Sequence, residues 1–293
     1  MTTAPRTTDS AAQAAALFTA LAAAPAAQVA VIGADTTLSY GALRAEIDAL
    51  ASTLRAQPVR VLATQADNGP AWIVADLAAL AAGIVHVPLP AFFTAAQTAH
   101  ALAAAGVDAV LVPAADGALD IAGERFHLQR RAASAVALPA GTAKITFTSG
   151  STGAPKGVCL SAAAMLAVAQ GLAQALAPLS IERHLCALPL PVLLENIAGV
   201  YAPLLAGATV IALPLAQVGL TGSSRFDPAR LQQAVDAHAA HSAIVLPQML
   251  RAWAGWRALA GRREPGPLQL VAVGGAAAGA GVIAQARALG LPA

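Results

Sequence analysis

Ile145-Thr146-Phe147-Thr148-Ser149-Gly150-Ser151-Thr152-Gly153-Ala154-Pro155-Lys156-Gly157-Val158 is the stretch that decides the fold class of this chain. Lys144–Thr148 reads as a strand, and it delivers the chain into hydroxyl residues, three glycines and one lysine. Glycines let backbone N–H groups approach an anion closely and adopt dihedrals closed to other residues. Ser149, Ser151 and Thr152 add hydroxyl donors, and Lys156 adds a compact positive charge. Such a turn suits the terminal phosphates of a nucleotide. It is not a Walker loop, which needs glycine directly before the lysine and Ser or Thr after it; here Pro155 and Gly157 flank Lys156. Nor do Gly150, Gly153 and Gly157 have dinucleotide-fingerprint spacing. The chain has two lysines, Lys144 and Lys156, against fifteen arginines, and one of the two falls in this turn.

Outward from the turn, strand-like runs alternate with alanine-rich helical ones. Val29–Ile32 and Thr37–Ser39 read as strands, Tyr40–Ala56 as a helix and Val59–Thr64 as a strand. Pro70–Ala82 reads as a helix opened by proline and closed by Gly83. A short buried run follows at Ile84–Val87, then a helix at Thr94–Ala105 and a strand at Ala109–Val112. The stretch from there to about Thr142 reads as weakly structured. Beyond the turn, strands are expected at Thr209–Leu213, Ser242–Val245 and Leu268–Val273, with helices near Asp227–His238 and Ala278–Leu289. This alternation predicts an α/β fold with two mostly parallel sheet-containing subdomains and flanking helices. The division is expected between residues 1–180, which contain the phosphate turn and the helix after it, and residues 181–293.

Composition narrows the function. Among the 293 residues 57% are hydrophobic and 11% charged, which excludes disorder. The net charge of +2 is spread over scattered basic pairs, Arg130-Arg131 and Arg262-Arg263, so no basic stripe supports nucleic-acid binding. Cys159 and Cys186 are too few for a disulfide framework, and the cytoplasm is the expected compartment. Mean hydropathy is +0.65, and three long windows, Leu77–Val107, Gly157–Ile181 and Ile197–Ser224, carry no Asp, Glu, Lys or Arg. Pro88 and Pro90 interrupt the first, and Pro203 and Pro214 the third. Short strands and buried helices are expected there, not a membrane span. The N-terminal alanine cluster is read as a helix, with Leu17, Phe18 and Leu21 at helical spacing, in preference to a signal peptide.

The turn resembles the signature of the adenylate-forming (AMP-binding) superfamily, which includes acyl-CoA synthetases, nonribosomal adenylation domains and luciferases. Leu38-Ser39-Tyr40-Gly41-Ala42-Leu43 and Ala81-Ala82-Gly83-Ile84-Val85-His86-Val87-Pro88-Leu89 resemble two earlier family motifs. Leu188-Pro189-Leu190, Leu194-Glu195-Asn196-Ile197-Ala198-Gly199-Val200-Tyr201 and Leu205-Ala206-Gly207-Ala208-Thr209 are most similar to the long-chain acyl-CoA synthetase branch. Val273-Gly274-Gly275-Ala276-Ala277 resembles the strand end that shapes the acyl and adenine pocket. The chain departs from the pattern at Pro191 and Val192, where a histidine or aromatic is frequent, and at Ala162, where histidine is common.

The resemblance implies that Thr148, Ser149, Gly150, Ser151, Thr152, Gly153 and Lys156 bind the ATP phosphates, and that Gly274, Gly275 and Ala276 line the nucleotide and acyl site. It implies ATP and Mg²⁺, a carboxylic acid substrate, most similar to a fatty acid, and a CoA or carrier-protein thiol acceptor. An acyl-ACP ligase or amino-acid adenylation domain is the alternative within that class. The family continues past the position of Ala293 into a Tyr-Gly-x-Thr/Ser-Glu motif, a magnesium-holding glutamate, a ribose-binding aspartate and a C-terminal domain with the catalytic lysine. The chain is therefore expected to be a truncated N-terminal part, inactive alone, its missing C-terminal portion a partner. An inactive remnant or a nucleotide- or partner-binding module is the rival reading.

Weaker constellations remain. Asp236, His238 and His241 could share a helix face, but a solvated face is the plainer reading, and no metal ligand is assigned. Glu195 beside an uncharged stretch is either pKa-perturbed and functional or a partner-satisfied carboxylate. Leu250, Trp253 and Trp256 pack a helix onto the core.

Overall fold

The computed structural model describes residues 14–148, 155–222 and 225–293. Helix α1 (Ala15–Ala23) is followed by strands β1 (Val29–Ile32) and β2 (Thr37–Ser39) and helix α2 (Tyr40–Ala56). Ser39 caps α2, its Oγ accepting from Ala42 N–H at 3.2 Å, and Leu43, Ile47, Leu50 and Leu54 bury one face. Next come β3 (Val61–Thr64), α3 (Pro70–Ala82), β4 (Val85–Pro88), α4 (Ala95–Ala104) and β5 (Ala109–Pro113). Helix α3 begins with Pro70 in its first turn and ends at Gly83, whose φ of 68° only glycine adopts freely. Thr94 and Gln97 form a reciprocal capping box on α4.

The stretch expected to be weakly structured holds two strands instead, β6 (Leu119–Ile121) and β7 (Glu124–Arg130). Ala122 and Gly123 join them with φ of 53° and 84°, the left-handed pair of a tight hairpin turn. Phe126 and Leu128 point inward between polar neighbours, the alternation of a half-buried strand. After β8 (Thr142–Thr148), the residues following the turn form another strand that sequence alone did not suggest, β9 (Lys156–Ser161).

The remaining elements are α5 (Ala162–Leu176), β10 (Arg183–Leu185), a π-helical segment (Glu195–Tyr201) and α6 (Ala202–Leu205). They continue through β11 (Thr209–Ile211), β12 (Leu220–Thr221), β13 (Arg225–Phe226), α7 (Pro228–Ala237), β14 (Ser242–Val245), α8 (Pro247–Leu259), β15 (Leu270–Val273) and α9 (Ala280–Ala288).

Among the described residues, one sheet has the order β6-β7-β5-β3-β4-β8-β9 and a second β15-β14-β10-β11-β1-β2, with β12 and β13 paired apart. The second sheet is parallel except for β2. The first is more mixed than expected: β5, β3, β4 and β8 form a parallel centre, and antiparallel strands flank both sides. Residues 29–39 pair into the sheet otherwise built after residue 180, so sheet membership crosses a division at that point.

Helix α3 is buried on every side from Pro70 to Leu80, within a cluster that also includes residues of α1, α2, β1, β3 and α6. That burial covers only the start of the first charge-poor window, Leu77 to Leu80; of the helix Ala95–Ala104 further along it, only Ala101 is buried. The middle window differs from expectation. Its helix, extended by a 3-10 turn to Ala162–Leu179, is long and apolar enough to cross a membrane, and 22% of that stretch is buried. Ala162, Met165, Leu166 and Ala169 pack inward, while the opposite face is alanine, valine and glutamine rather than charge.

Candidate active site

Strand β8 leaves the parallel centre of its sheet at Thr148, the carboxyl end where open α/β sheets hold ligands. The chain returns antiparallel as β9, and Thr148 pairs in register with Lys156. Both are exposed. The other predicted phosphate residues, Ser149, Gly150, Ser151, Thr152 and Gly153, lie outside the described residues. His100 on α4 meets the Pro155 carbonyl through Nε2 at 3.0 Å and anchors the returning limb. At Gly157 a Cβ would sit 3.1 Å from both Ile145 and Phe147, so glycine lets the strands lie close.

The second predicted cluster follows β15. Gly274 N–H donates to Val245 O at 3.1 Å, and Gly275 and Ala276 are exposed beyond it. Gly275 has φ of 82°, and a Cβ there would approach Leu246 Cδ2 to 2.8 Å. A Cβ on Gly274 would reach 2.6 Å from Leu194 Cδ2. Leu194 also lines an apolar groove of about 400 Å³ with Leu160, Met165, Val168, Leu193 and Ile197. Leu160 lies four residues beyond Lys156 on β9. One groove therefore joins the strand leaving the phosphate turn to the segment that touches Gly274.

Beneath it lies a polar network that sequence reasoning missed. Asp76 on α3 and Lys144 on β8 are 1% and 2% exposed, with Nζ 2.7 Å from Oδ1. Asp76 also accepts from Asn196 Nδ2 at 2.9 Å and Tyr201 O–H at 3.0 Å, and meets His86 Nδ1 at 2.6 Å. Lys144 donates further to Asn196 Oδ1 and, at 3.2 Å, to Tyr201 Oη. His86 Nε2 lies 2.9 Å from Thr64 Oγ1. Burial pushes the Asp76 carboxyl upward, but Lys144 and His86 outweigh it and hold it well below the usual carboxylate range. Burial lowers His86 despite the pull of Asp76.

Glu195 joins both of its sequence readings. It is fully buried, and burial raises its pKa; it is also partnered, accepting from Leu188 N–H at 3.0 Å and lying 3.1 Å from His184 Nε2. His184 Nδ1 meets Ser242 Oγ at 2.8 Å. Cys186, whose thiol burial raises, donates to the Gly199 carbonyl at 3.7 Å. The ligating atoms of His184, Cys186 and Glu195 lie within 4.8 Å of one another, and each already has a protein partner. Asp236 instead takes Gln232 at 2.9 Å and Arg262 at 2.7 Å, while His241 Nδ1 accepts from Glu182 N–H, so the Asp236, His238, His241 set does not converge. Leu250 and Trp253 are buried as expected, and Trp253 Nε1 donates to Gln232 at 2.9 Å.

Fold and site together define an α/β protein with a glycine- and hydroxyl-rich connection at a strand's carboxyl end and an apolar groove beside it. The chain belongs to the AMP-binding enzyme family, whose model matches residues 17–292. It is 37% identical over 150 residues to phenyloxazoline synthase MbtB of Mycobacterium sp. (strain MCS), covering 47% of this chain and 13% of that protein. The O-succinylbenzoate CoA synthetase MenE of Bacillus subtilis, solved with AMP, superposes with a TM-score of 0.70 at 20% identity, over 94% of this chain and 56% of that one. The N-terminal subdomain of Klebsiella oxytoca NpsA, in complex with 3-hydroxybenzoyl-AMSN, superposes with a TM-score of 0.70 at 19% identity, over 93% and 68%. The chain thus spans a small part of its curated relative and just over half of the MenE chain.

Proposed function

We propose that the protein carrying this chain activates a carboxylic acid with ATP and passes the acyl group to a thiol. A carboxylate oxygen attacks the α-phosphorus and the bond to pyrophosphate breaks. A thiolate then attacks the acyl carbon and AMP leaves. The observation that carries this is the pairing of Thr148 with Lys156 at the mouth of the turn, on the strand whose Leu160 lines a groove that also includes Leu194, the neighbour of Gly274. Thr148, Ser149, Gly150, Ser151, Thr152, Gly153 and Lys156 hold the phosphates, neutralising charge without reorganisation. Mg²⁺ accompanies the triphosphate as its counter-charge. Gly274, Gly275 and Ala276 give the nucleotide and acyl chain a backbone surface without bulky side chains. The AMP bound in MenE and the 3-hydroxybenzoyl-AMSN bound in NpsA support this reading.

The substrate we propose is an aliphatic acid, most simply a fatty acid, as in the acyl-CoA synthetase branch. Every groove-lining side chain is apolar, and none could pair with the ammonium of an amino acid. Likeness to the nonribosomal peptide synthetase pboA of Aspergillus ustus, 31% identical over 159 residues (49% of this chain, 8% of that protein), favours a second reading, amino-acid or aryl-acid adenylation with a carrier-protein thiol as acceptor. The cytoplasm remains the proposed compartment, consistent with two free cysteines, and residues 1–180 and 181–293 the proposed subdomains, the first lending β1 and β2 to the sheet of the second. Calorimetry with acyl-adenosine sulfamates of differing acyl groups tests this. Binding that strengthens from acetyl to decanoyl supports the fatty-acid reading. Preference for an aminoacyl analogue establishes the second reading, and binding of none rejects the function.

A further inference from the structure

Lys144 is the lysine that the phosphate turn does not account for. It lies four residues before Thr148 on β8, so the two side chains leave the same face of the strand. Its ammonium carries three hydrogens, and three acceptors surround it: Asp76, Asn196 and Tyr201. A compact ammonium meets three convergent acceptors where a planar guanidinium fork would not, which explains a lysine in a chain that otherwise uses arginine. Asn196 and Tyr201 belong to the π-helical segment, and Ile197 and Ala198, directly after Asn196, line the groove with Leu193 and Leu194. One buried charge thus fastens the strand that feeds the phosphate turn to the wall of the acyl groove. His86 on β4 and Thr64 on β3, the next two strands of the sheet, extend the fastening across its parallel centre.

Stability alone is a weak reason to keep such a pair. Apolar replacement of both members of a buried ion pair is often neutral or stabilising. What apolar packing would not supply is a fixed register between strand and segment.

We propose that Lys144 is a positioning residue which, through Asp76 and Asn196, sets the distance between the nucleotide subsite and the acyl groove. This rests on the adenylation reading. Displacement of about 1 Å between reacting groups costs on the order of 10²-fold in rate, so the clamp acts on the joining of the two substrates and not on the binding of either one.

The test compares wild type with Asp76→Asn/Lys144→Met, which removes both charges together, and with the milder Tyr201→Phe. Three quantities are measured: affinity for ATP, affinity for decanoyl-adenosine sulfamate, which spans both subsites, and thermal midpoint. The full protein also supplies kcat and KM for decanoate-dependent pyrophosphate exchange. The double variant is expected to bind ATP within about twofold of wild type and the spanning analogue at least about tenfold more weakly, with exchange kcat reduced and KM for ATP unchanged. Tyr201→Phe should move in the same direction by about threefold. A folded double variant that binds the analogue as tightly as wild type overturns the proposal. If the double variant does not fold, an unaltered ratio of the two affinities in Tyr201→Phe overturns it. If wild type binds neither ligand, the adenylation reading falls and the proposal falls with it.

Discussion

Lys144 Nζ lies 2.7 Å from Asp76 Oδ1, with both side chains removed from solvent and 68 residues apart in the chain. The contact ties a central strand of one sheet to the helix buried on all sides. Its energetics are asymmetric. Lys144→Met alone leaves the Asp76 charge without its main partner, and unfolding free energy should fall by about 3–5 kcal/mol. Asp76→Asn with Lys144→Met leaves no buried charge, and should lie within about 1 kcal/mol of wild type. Urea unfolding of the two variants checks this; equal losses in both would show that the charge itself is not what the fold must satisfy.

Asp76 and Glu195 should give opposite dependences on pH. The Asp76 pKa is held below its ordinary 3.8 in the fold, so its contribution is fully present above that value and is lost as pH falls below it. Burial raises Glu195 above its ordinary 4.5, so its contribution is greatest below that value and is lost as pH rises through the folded pKa. Relative to wild type, Glu195→Gln should therefore gain stability between pH 4.5 and neutrality, whereas Asp76→Asn should gain only on acidification below 3.8. Stability curves for the three proteins across this range make the comparison, and parallel curves would contradict it.

Two glycines in apparently similar helical settings should respond in opposite senses to alanine. At Gly199 in the π-helical segment a Cβ would lie 2.2 Å from Glu195 Oε1 and 2.8 Å from His184 Nε2. Gly199→Ala should cost about 1–3 kcal/mol, because the added carbon displaces the buried Glu195 carboxylate from its His184 and Leu188 partners. At Gly171 in α5 nothing lies within 4 Å of the added carbon. Gly171→Ala should stabilise by about 0.5–1 kcal/mol through helix propensity and a less flexible unfolded chain. Thermal unfolding of both variants reads the contrast directly.

Helix ends were legible where single residues carry them: Pro70 and Gly83 bracket α3, whereas the cap of α2 by Ser39 was seen only in the structure. The β6–β7 hairpin was not legible. Its turn is Ala122-Gly123 rather than Asn-Gly or Asp-Gly, and its strands expose Glu124, Arg125 and Arg130 along an edge. The phosphate turn was legible as a motif, and the structure adds the register of Thr148 with Lys156. The Asp76 network escaped because its members are brought together only by tertiary packing, with as many as 125 residues between Asp76 and Tyr201. One signal was present. Asp76 is the single charged residue of α3, and Lys144 the single one of β8; a lone charge in an otherwise uncharged element must find a partner when that element is buried.

The phosphate turn and the apolar groove should fail separately. Lys156 is exposed at the start of β9, so removing its ammonium does not unfold the chain, and on the adenylation reading it withdraws charge from the phosphates. Lys156→Ala combined with Gly153→Val should lower carboxylate-dependent pyrophosphate exchange by at least about 10²-fold, the scale of losing a preorganised donor. Ala164→Phe projects into the groove, since Ala164 lines it on α5. It should weaken use of long acids by about tenfold while leaving the shortest accepted acid nearly unaffected, because one lost pocket contact discriminates by about 1–3 kcal/mol. Exchange assays across a series of acid lengths separate the two effects: a uniform loss for the turn variant, and a loss that grows with chain length for the groove variant. Uniform losses in both would place the acyl chain elsewhere, and undiminished exchange in the turn variant would remove Lys156 and Gly153 from the nucleotide site.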